Sequence, residues 1–226
     1  MTIEEKWNRA FELTLPIISV GIGGLSLAIT IMSLRSSIAL GQRVYYEDGK
    51  CLVSVRVPGQ WYSLQDFVQP GDPAVRDIYR ETGPDAWRCL EWVCRNISYR
   101  GDVGEWWGYP SETIERTSGD CEDSSILTCS LLKNFTNAHV VLGSFQGYGH
   151  AWCQLNGQIL ETTYTLAKPV PDPQDYLAFV LFNDREVIEL WPGALAEVFA
   201  LGRDKVTKLQ LMAEVINGLT AYSYRT

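Results

Sequence analysis

Clustered positive charge is lacking in this sequence. Lysine and arginine number 19 against 27 aspartate and glutamate residues, which gives a net charge of −8 at pH 7, and no run of basic residues occurs. Proteins bind the phosphates of nucleic acids through clustered lysine and arginine. The sequence therefore argues against nucleic acid as a partner.

Metal-ligand spacing is lacking as well. The chain has two histidines, His139 and His150, and its six cysteines never stand in a C-x-x-C pattern. Zinc sites are built from such pairs, so we expect no zinc, no other metal and no cofactor. Six cysteines in a chain of this length also do not imply a disulfide framework. We expect Cys129 and Cys153 in apolar surroundings.

Internal repeats and low-complexity tracts are absent, and the composition is that of a folded protein. Hydrophobic residues make up 46% of the 226 residues and aromatic residues 12%, with eight tryptophans. Such a chain can bury a core and holds one domain of ordinary size plus a small extension.

A long uncharged segment stands apart from the rest. Leu13 to Leu34, LTLPIISVGIGGLSLAITIMSL, runs for 22 residues between Glu12 and Arg35. Its length fits a single membrane-spanning helix, and its glycines are commoner in membrane helices than in soluble ones. A signal peptide has a shorter apolar region and a basic head. A buried helix and an assembly surface remain the other interpretations.

The orientation of this anchor is not fixed by its flanks. Lys6 and Arg9 precede the segment and Arg35 and Arg43 follow it, so the positive-inside rule favours neither side. We therefore expect a single-pass membrane protein without assigning the side that carries the domain.

The pattern downstream predicts an α+β fold. Alternation from Val44 to Val57 around Asp48-Gly49 predicts a hairpin, and Asn156-Gly157 predicts the turn of another. The predicted helices are AVRDIYRET, DAWRCLEWVCRNI, an amphipathic SSILTCSLLKNF and a closing ALAEVFALGRDKVTKLQLMAEVI. The predicted strands are AHVVLGSF, HAWCQL, QILETTY, and LAFVLF with EVIEL as a hairpin around Asn183-Asp184, while GEWWGYPSET is predicted as an aromatic loop. Helices followed by antiparallel strands indicate the α+β class.

The same features predict the organisation of the chain. The segments are a polar head at 1–12, a hydrophobic anchor helix at 13–34, a linker at 35–43, a domain at 44–192 and a helical segment at 193–226.

The stretch GDCEDSSIL, residues 119–127, places a cysteine between acids at the start of a helix. Asp120 is a good N-cap, so Cys121 falls in the first turn, at a position that we expect water and substrate to reach. The helix N-terminus favours a thiolate, while Glu122 and Asp123 disfavour it. We take these acids as helix-start residues and not as a metal site. Cys121 therefore needs a cationic partner to be reactive.

His150, in GYGHAWCQL, is the candidate partner. Two glycines precede it and allow a close approach of the backbone, whereas His139 has the pattern of an ordinary strand residue. A two-residue turn at Asn156-Gly157 places Glu161 opposite Trp152 and diagonal to His150, within reach of long side chains. A carboxylate there can fix the imidazole tautomer and stabilise its protonated form.

Together these motifs resemble the transglutaminase-like superfamily, close to its bacterial, archaeal and phage cysteine peptidases. The resemblance rests on GDCEDSSIL, GHAWCQL and LETT, and WWGYPSET is similar to the W-x-x-P-x-E-T element upstream of the cysteine. It covers about Val44 to Leu166. It implies a papain-like α+β core, in which a helix bearing the cysteine packs on an antiparallel sheet bearing the histidine and the acid.

The resemblance also implies roles for individual residues. Cys121 matches the nucleophile and His150 the base, and Glu161 stands where relatives more often have aspartate. The implied reaction is acyl transfer from an amide. Donors for the oxyanion are then the backbone N–H of Cys121 and, by resemblance, the backbone or indole N–H of Trp107.

The expected function is that of a membrane-tethered peptidase or amidase acting on a protein or peptide. Two alternatives stay open at this point. One is a protein-glutamine acyltransferase that cross-links proteins, and the other is a non-catalytic binding or assembly module.

Overall fold

We describe the protein from a computed structural model, which covers residues 43–47, 50–101 and 105–201. The predicted anchor at Leu13 to Leu34 and the part of the closing helix beyond Leu201 lie outside the described residues. Within the described ranges, no helix has both the length and the apolar character needed to cross a bilayer.

A small antiparallel sheet opens the described chain. Its three strands lie in the order β1-β2-β3 and comprise Val44–Glu47, Lys50–Val53 and Tyr62–Ser63. Glu47 lies opposite Lys50, which confirms the predicted hairpin.

A five-stranded antiparallel sheet forms the larger part of the domain. Its order is β10-β9-β6-β7-β8. The strands are β6 at His139–Phe145, β7 at Tyr148–Leu155, β8 at Gln158–Leu160, β9 at Tyr176–Phe182 and β10 at Val187–Glu189. The predicted strands are therefore confirmed and form one sheet, but the strand predicted over QILETTY ends at Leu160, so Glu161 lies just beyond it.

Tight turns set the register of this sheet. Asn156 and Gly157 have φ of 50° and 81°, the left-handed pair that a two-residue hairpin turn needs. Gln154 lies opposite Ile159, as the sequence predicts. Gly147 serves the preceding turn in the same way, with φ of 85°.

Five helices accompany the sheets in the described part of the chain. They are α1 at Pro73–Thr82, α2 at Ala86–Asn96, α3 at Pro110–Arg116, α4 at Cys121–Leu132 and α5 at Ala194–Ala200. Short parallel strands β4 (Ser98–Tyr99) and β5 (Ser118–Gly119) flank α3.

Helix α3 lies partly in the segment predicted as a loop, so that prediction was too long. Pro110 occupies the first turn of α3, where its missing N–H costs nothing. The Glu112 carboxylate accepts from the backbone N–H of Tyr109 at 2.7 Å, which satisfies a donor at the start of the helix. The loop proper is therefore residues 105–109, called the aromatic loop below.

Helix α4 lies at the centre of the core. All twelve of its residues are buried, because α1, α2 and α3 cover it on one side and β6 and β7 on the other. The prediction of an amphipathic helix was therefore wrong. Two of its hydroxyl groups bond within the helix: Thr128 donates to the carbonyl of Ser124, and Ser130 to that of Ile126, both at 2.8 Å.

Candidate active site

His150 of β7 and Glu161, which directly follows β8, form a buried pair. Nε2 of His150 lies 2.9 Å from Oε2 of Glu161, and both side chains are almost fully buried. The carboxylate accepts from Nε2–H, so the neutral ring carries its lone pair on Nδ1. Within the part of the chain that the structure describes, Nδ1 has no hydrogen-bond partner. The arrangement leaves Nδ1 available to act as a base.

Four hydrogen bonds hold the Glu161 carboxylate. Oε1 accepts from the backbone N–H and the hydroxyl of Thr163, at 2.9 and 2.6 Å. Oε2 accepts from His150 and from the hydroxyl of Tyr176, which lies at 2.8 Å. Burial raises the pKa of Glu161, but the charge of His150 and these bonds outweigh it and lower the pKa to about 2. Glu161 is therefore an anion over the physiological pH range.

Aromatic rings enclose the imidazole of His150. The ring centroids of Phe145, Trp152 and Tyr176 lie 5.9, 6.1 and 6.0 Å from it. Burial, followed by the nearby Glu161 charge, raises the pKa of Tyr176 well above its usual value. The Tyr176 hydroxyl therefore keeps its proton and acts as a donor to Glu161.

Cys121 is the first residue of α4, as the sequence predicts, but it is less accessible than expected. Only 6% of the residue is exposed, because α4 packs against β7 and β6. Its thiol donates to Oε2 of Glu122 at 3.0 Å. Glu122 lines the same cavity as His150, so the thiol lies beside a wall of that cavity.

The cavity has a volume of about 120 Å³ and a mixed lining. Its charged groups are Glu122, Glu105 and Arg43, and the last two form an ion pair. Phe199 of α5 lines it on the apolar side. The space therefore suits a side chain or a short piece of an extended chain.

Trp107 also lines this cavity, but its backbone is already engaged. The backbone N–H donates to the carbonyl of Val55 at 2.9 Å, so the expectation of a free backbone donor for an oxyanion does not hold. The indole N–H faces Glu105 Oε1 at 3.5 Å. That distance is long for a hydrogen bond, which leaves the indole as the candidate donor of this residue.

Arg56 holds the aromatic loop in place. Arg56 donates to the carbonyl of Trp107 at 2.6 Å and to both carboxylate oxygens of Glu112, at 2.8 and 2.7 Å. Its guanidinium also lies over the Tyr109 ring, 4.2 Å from the centroid. Arg56 therefore joins the aromatic loop to the start of α3.

Asp123 joins the same loop to the helix that carries the cysteine. Its Oδ1 accepts from the backbone N–H of Gly108 at 2.6 Å, and its Oδ2 accepts from Arg116 at 3.1 Å. A Cβ added at Gly119 would lie 2.5 Å from the Cβ of Asp123, so glycine is required there by lack of space. Asp120 occupies the N-cap position of α4, as predicted, but its side chain does not make the capping hydrogen bond.

One cluster of described residues has donor atoms close enough for a metal ion. Single ligand atoms of Asp120, Cys121 and Glu122 lie within 4.8 Å of one another. The hydrogen bond between the Cys121 thiol and Glu122 accounts for part of this proximity. Asp120, Glu122 and Asp123 lie at the start of α4, as predicted, and the expectation that they do not form a metal site stays a prediction.

The remaining candidates lie elsewhere. His139 contacts Glu186 at 2.9 Å on the far end of β6. None of the six cysteines, all of which are described, forms a disulfide, and Cys129 and Cys153 are fully buried, as expected. Sequence reasoning missed Tyr176, because no local pattern connects β9 with Glu161. It could have found Thr163, which stands in the same LETT motif.

Comparison with known proteins identifies a family but no near relative. None of the curated proteins compared with the chain matches it. LapG of Legionella pneumophila, EGTA-treated, aligns with 17% identity and a TM-score of 0.41 over 63% of this chain and 89% of LapG. A candidate cysteine protease of Cytophaga hutchinsonii aligns with 16% identity and a TM-score of 0.39, over 51% of this chain and 43% of that one.

A sequence model described as a transglutaminase-like domain matches residues 78–189. The matched range includes Cys121, His150 and Glu161, and it overlaps the range in which the motifs resemble that family. The chain therefore carries a domain of the transglutaminase-like family over these residues.

Proposed function

We propose that the protein is a cysteine peptidase or amidase, with Cys121 as nucleophile, His150 as general base and acid, and Glu161 as the group that orients His150. The hydrogen bond between His150 Nε2 and Glu161 Oε2, at 2.9 Å, carries this proposal. It fixes the tautomer in which Nδ1 is the basic nitrogen. In the Cys-His-acid arrangement, the imidazole takes the proton of the nucleophile and the acid stabilises the imidazolium that forms.

The reaction proceeds in two acyl transfers. The Cys121 thiol gives its proton to Nδ1 of His150, and the sulfur attacks the carbonyl carbon of the amide. The imidazolium then protonates the departing amine, and the C–N bond breaks to leave a thioester on Cys121. Water, deprotonated by His150, attacks the thioester and releases the carboxylic acid and the free thiol.

The oxyanion of each tetrahedral intermediate needs donors aimed at one point. The start of α4 directs its first backbone N–H groups outward, and the N–H of Cys121 is the backbone donor of the proposal. The Trp107 indole N–H, which lines the cavity, is the side-chain donor.

Selective alkylation of Cys121 tests this proposal without an identified substrate. The full chain is treated with iodoacetamide from pH 5 to 9, and modification of each of the six cysteines is followed by mass spectrometry. We expect Cys121 to react fastest near neutral pH, and we expect His150→Gln to remove this preference. His139→Gln is the matched control and leaves the preference in place. Equal rates for all six thiols in the folded wild type would overturn the proposal.

A protein-glutamine acyltransferase shares the first half of this reaction. The two activities differ in whether water or an amine attacks the thioester. A fluorescent primary amine added with casein separates them, because covalent incorporation into casein indicates transfer and new amino termini indicate hydrolysis.

A non-catalytic module is the second candidate, and the burial of Cys121 favours it. The residue is 6% exposed and its thiol donates to a carboxylate, which holds the proton on sulfur. In that case the cavity binds a peptide without turnover, and Cys121 reacts no faster than the other cysteines.

The membrane tether forms part of the proposal as well. The support is the uncharged segment from Leu13 to Leu34, whose length fits one membrane span. A protein or peptide near that membrane would then be the substrate.

A further inference from the structure

We infer that Tyr176 is a positioning residue of the proposed active site, which sets the basicity of His150 through their shared partner Glu161. This inference rests on the proposed function. Oε2 of Glu161 accepts two hydrogen bonds, from His150 Nε2 at 2.9 Å and from the Tyr176 hydroxyl at 2.8 Å. The two donors therefore compete for the charge of one oxygen atom.

Tyr176 reaches this oxygen from a distant strand. It is the first residue of β9 and lies opposite Phe145 of β6, whereas His150 belongs to β7 on the other side of β6. Its ring contacts Phe145 and Trp152, with centroids 4.6 and 5.2 Å away. The ring thus packs across β6, and the hydroxyl at its end meets the carboxylate.

The four hydrogen bonds leave the carboxylate little freedom to rotate. An ionised carboxylate has about four acceptor positions, and Thr163 takes two of them at Oε1. Tyr176 takes one position at Oε2, so the position directed at Nε2 is the one that remains for His150. Tyr176 therefore fixes both the place and the direction of the bond that sets the imidazole tautomer.

The same hydroxyl weakens the carboxylate as a partner for imidazolium. A carboxylate beside an imidazole stabilises the protonated ring. A neutral O–H donor on the same oxygen withdraws part of that charge, so the ring gives up its proton more readily. A general acid must release its proton to the leaving amine, which makes this weakening useful for the proposed reaction.

Among the described residues, other charged groups line the cavity beside His150. They are Glu122 of α4 and the ion pair of Glu105 with Arg43. The Glu161 charge also acts on Tyr164, after burial, to raise the pKa of that hydroxyl. Tyr176→Phe therefore changes one hydrogen bond of Glu161 and retains the ring that packs on Phe145 and Trp152.

A titration of the imidazole tests the inference. The full chain is labelled with 15N-histidine, and ring resonances are followed against pH by NMR. His139→Gln identifies the His150 signals, because the chain has two histidines. We expect the pH midpoint of His150 to rise in Tyr176→Phe by about 0.5 to 1 pH unit. This shift corresponds to the net free energy of one hydrogen bond. Tyr79→Phe, whose ring stacks on Phe135, is the matched control and leaves the midpoint unchanged.

A second substitution gives the opposite sign. Incorporation of 3-fluorotyrosine at position 176 makes the hydroxyl a stronger donor and retains its packing, so the midpoint of His150 is expected to fall. The fluorotyrosine protein also tests the inference if Tyr176→Phe does not fold. In the Glu161→Gln background neither change at 176 has an effect. An unchanged midpoint in the fluorotyrosine protein, or a shift of the same size in the Glu161→Gln background, overturns the inference.

Alkylation of Cys121 separates this inference from the proposed function. In Tyr176→Phe we expect Cys121 to be alkylated about threefold to tenfold faster near neutral pH, because a more basic imidazole takes the thiol proton more readily and raises the fraction of thiolate. If Cys121 is alkylated selectively in the wild type but the His150 midpoint is the same in Tyr176→Phe, only the role of Tyr176 is contradicted. If the His150 midpoint shifts in Tyr176→Phe but Cys121 of the wild type is not alkylated selectively, only the peptidase proposal is contradicted.

Discussion

Glu161 is an ionised carboxylate that has almost no contact with water. Such a charge is costly to bury unless every acceptor position is filled, and here four donors fill them. The ionised state of Glu161 therefore depends on these four donors, which the sequence pattern around it does not reveal. Two testable consequences arise at this scale, one for Glu161 and one for the acid beside the cysteine.

The charge of Glu161 makes the stability of the domain sensitive to acid. Because its pKa is lowered to about 2 in the fold, its contribution is complete above the ordinary glutamate pKa and is lost as the pH falls towards 2. We expect a loss on the order of 3 kcal/mol in the free energy of unfolding over this window. Urea unfolding of wild type and Glu161→Gln at several pH values measures it.

Glu161→Gln should remove this part of the pH dependence and lower stability near neutral pH. Glu115→Gln, which changes an exposed acid of α3, is the control and keeps the wild-type profile. Parallel profiles for wild type and Glu161→Gln would show that the carboxylate does not stabilise the fold.

Glu122 restrains the thiol of Cys121 in the resting protein. It accepts the thiol proton at 3.0 Å, and its negative charge disfavours a thiolate next to it. We therefore expect Glu122→Gln to raise the alkylation rate of Cys121 at neutral pH by about threefold to tenfold. Mass spectrometry of iodoacetamide adducts measures the rate, with Glu115→Gln as control. A slower reaction would instead indicate that Glu122 helps to remove the proton.

At the scale of elements, the hairpin that carries His150 could be predicted from sequence. The Asn156-Gly157 turn fixes the register from local backbone preferences alone, and that register places Glu161 near His150. The burial of α4 could not be predicted in this way, because a pattern of leucines and serines does not record which neighbours cover a helix. The role of Tyr176 depends on a pairing between β6 and β9 that is set by the whole sheet.

The aromatic loop depends on Arg56 for its position. A lysine cannot bond to both Glu112 oxygens and to the Trp107 carbonyl at once. We expect Arg56→Lys to lower the free energy of unfolding by about 1 to 3 kcal/mol and to change tryptophan fluorescence. Arg80→Lys, on the exposed face of α1, is the control. If Arg56→Lys has wild-type stability and spectrum, other contacts hold the loop.

At the scale of the whole molecule, the proposed anchor precedes a domain whose described elements begin at Val44. A charge in the middle of the uncharged segment should impair its insertion. We expect Gly24→Arg to oppose insertion by about 2.5 to 3.5 kcal/mol and to lower the share of full-length protein that stays with membranes after a carbonate wash. Thr2→Arg, outside the segment, is the control.

Recovery of the wild-type full-length protein in the carbonate wash would contradict the span. The segment would then be a buried helix or an assembly surface, the two interpretations that the sequence leaves beside the membrane anchor.

The crowding between Gly119 and Asp123 has a consequence for sequence variation. A Cβ at position 119 would lie 2.5 Å from the Cβ of Asp123, so each residue limits the size of the other. In homologous chains a residue other than glycine at 119 should occur only with glycine at 123, because every other residue at 123 carries the clashing Cβ. The glycine of the GDCED stretch would then reflect available space and not chemistry, so its presence alone does not indicate an active cysteine.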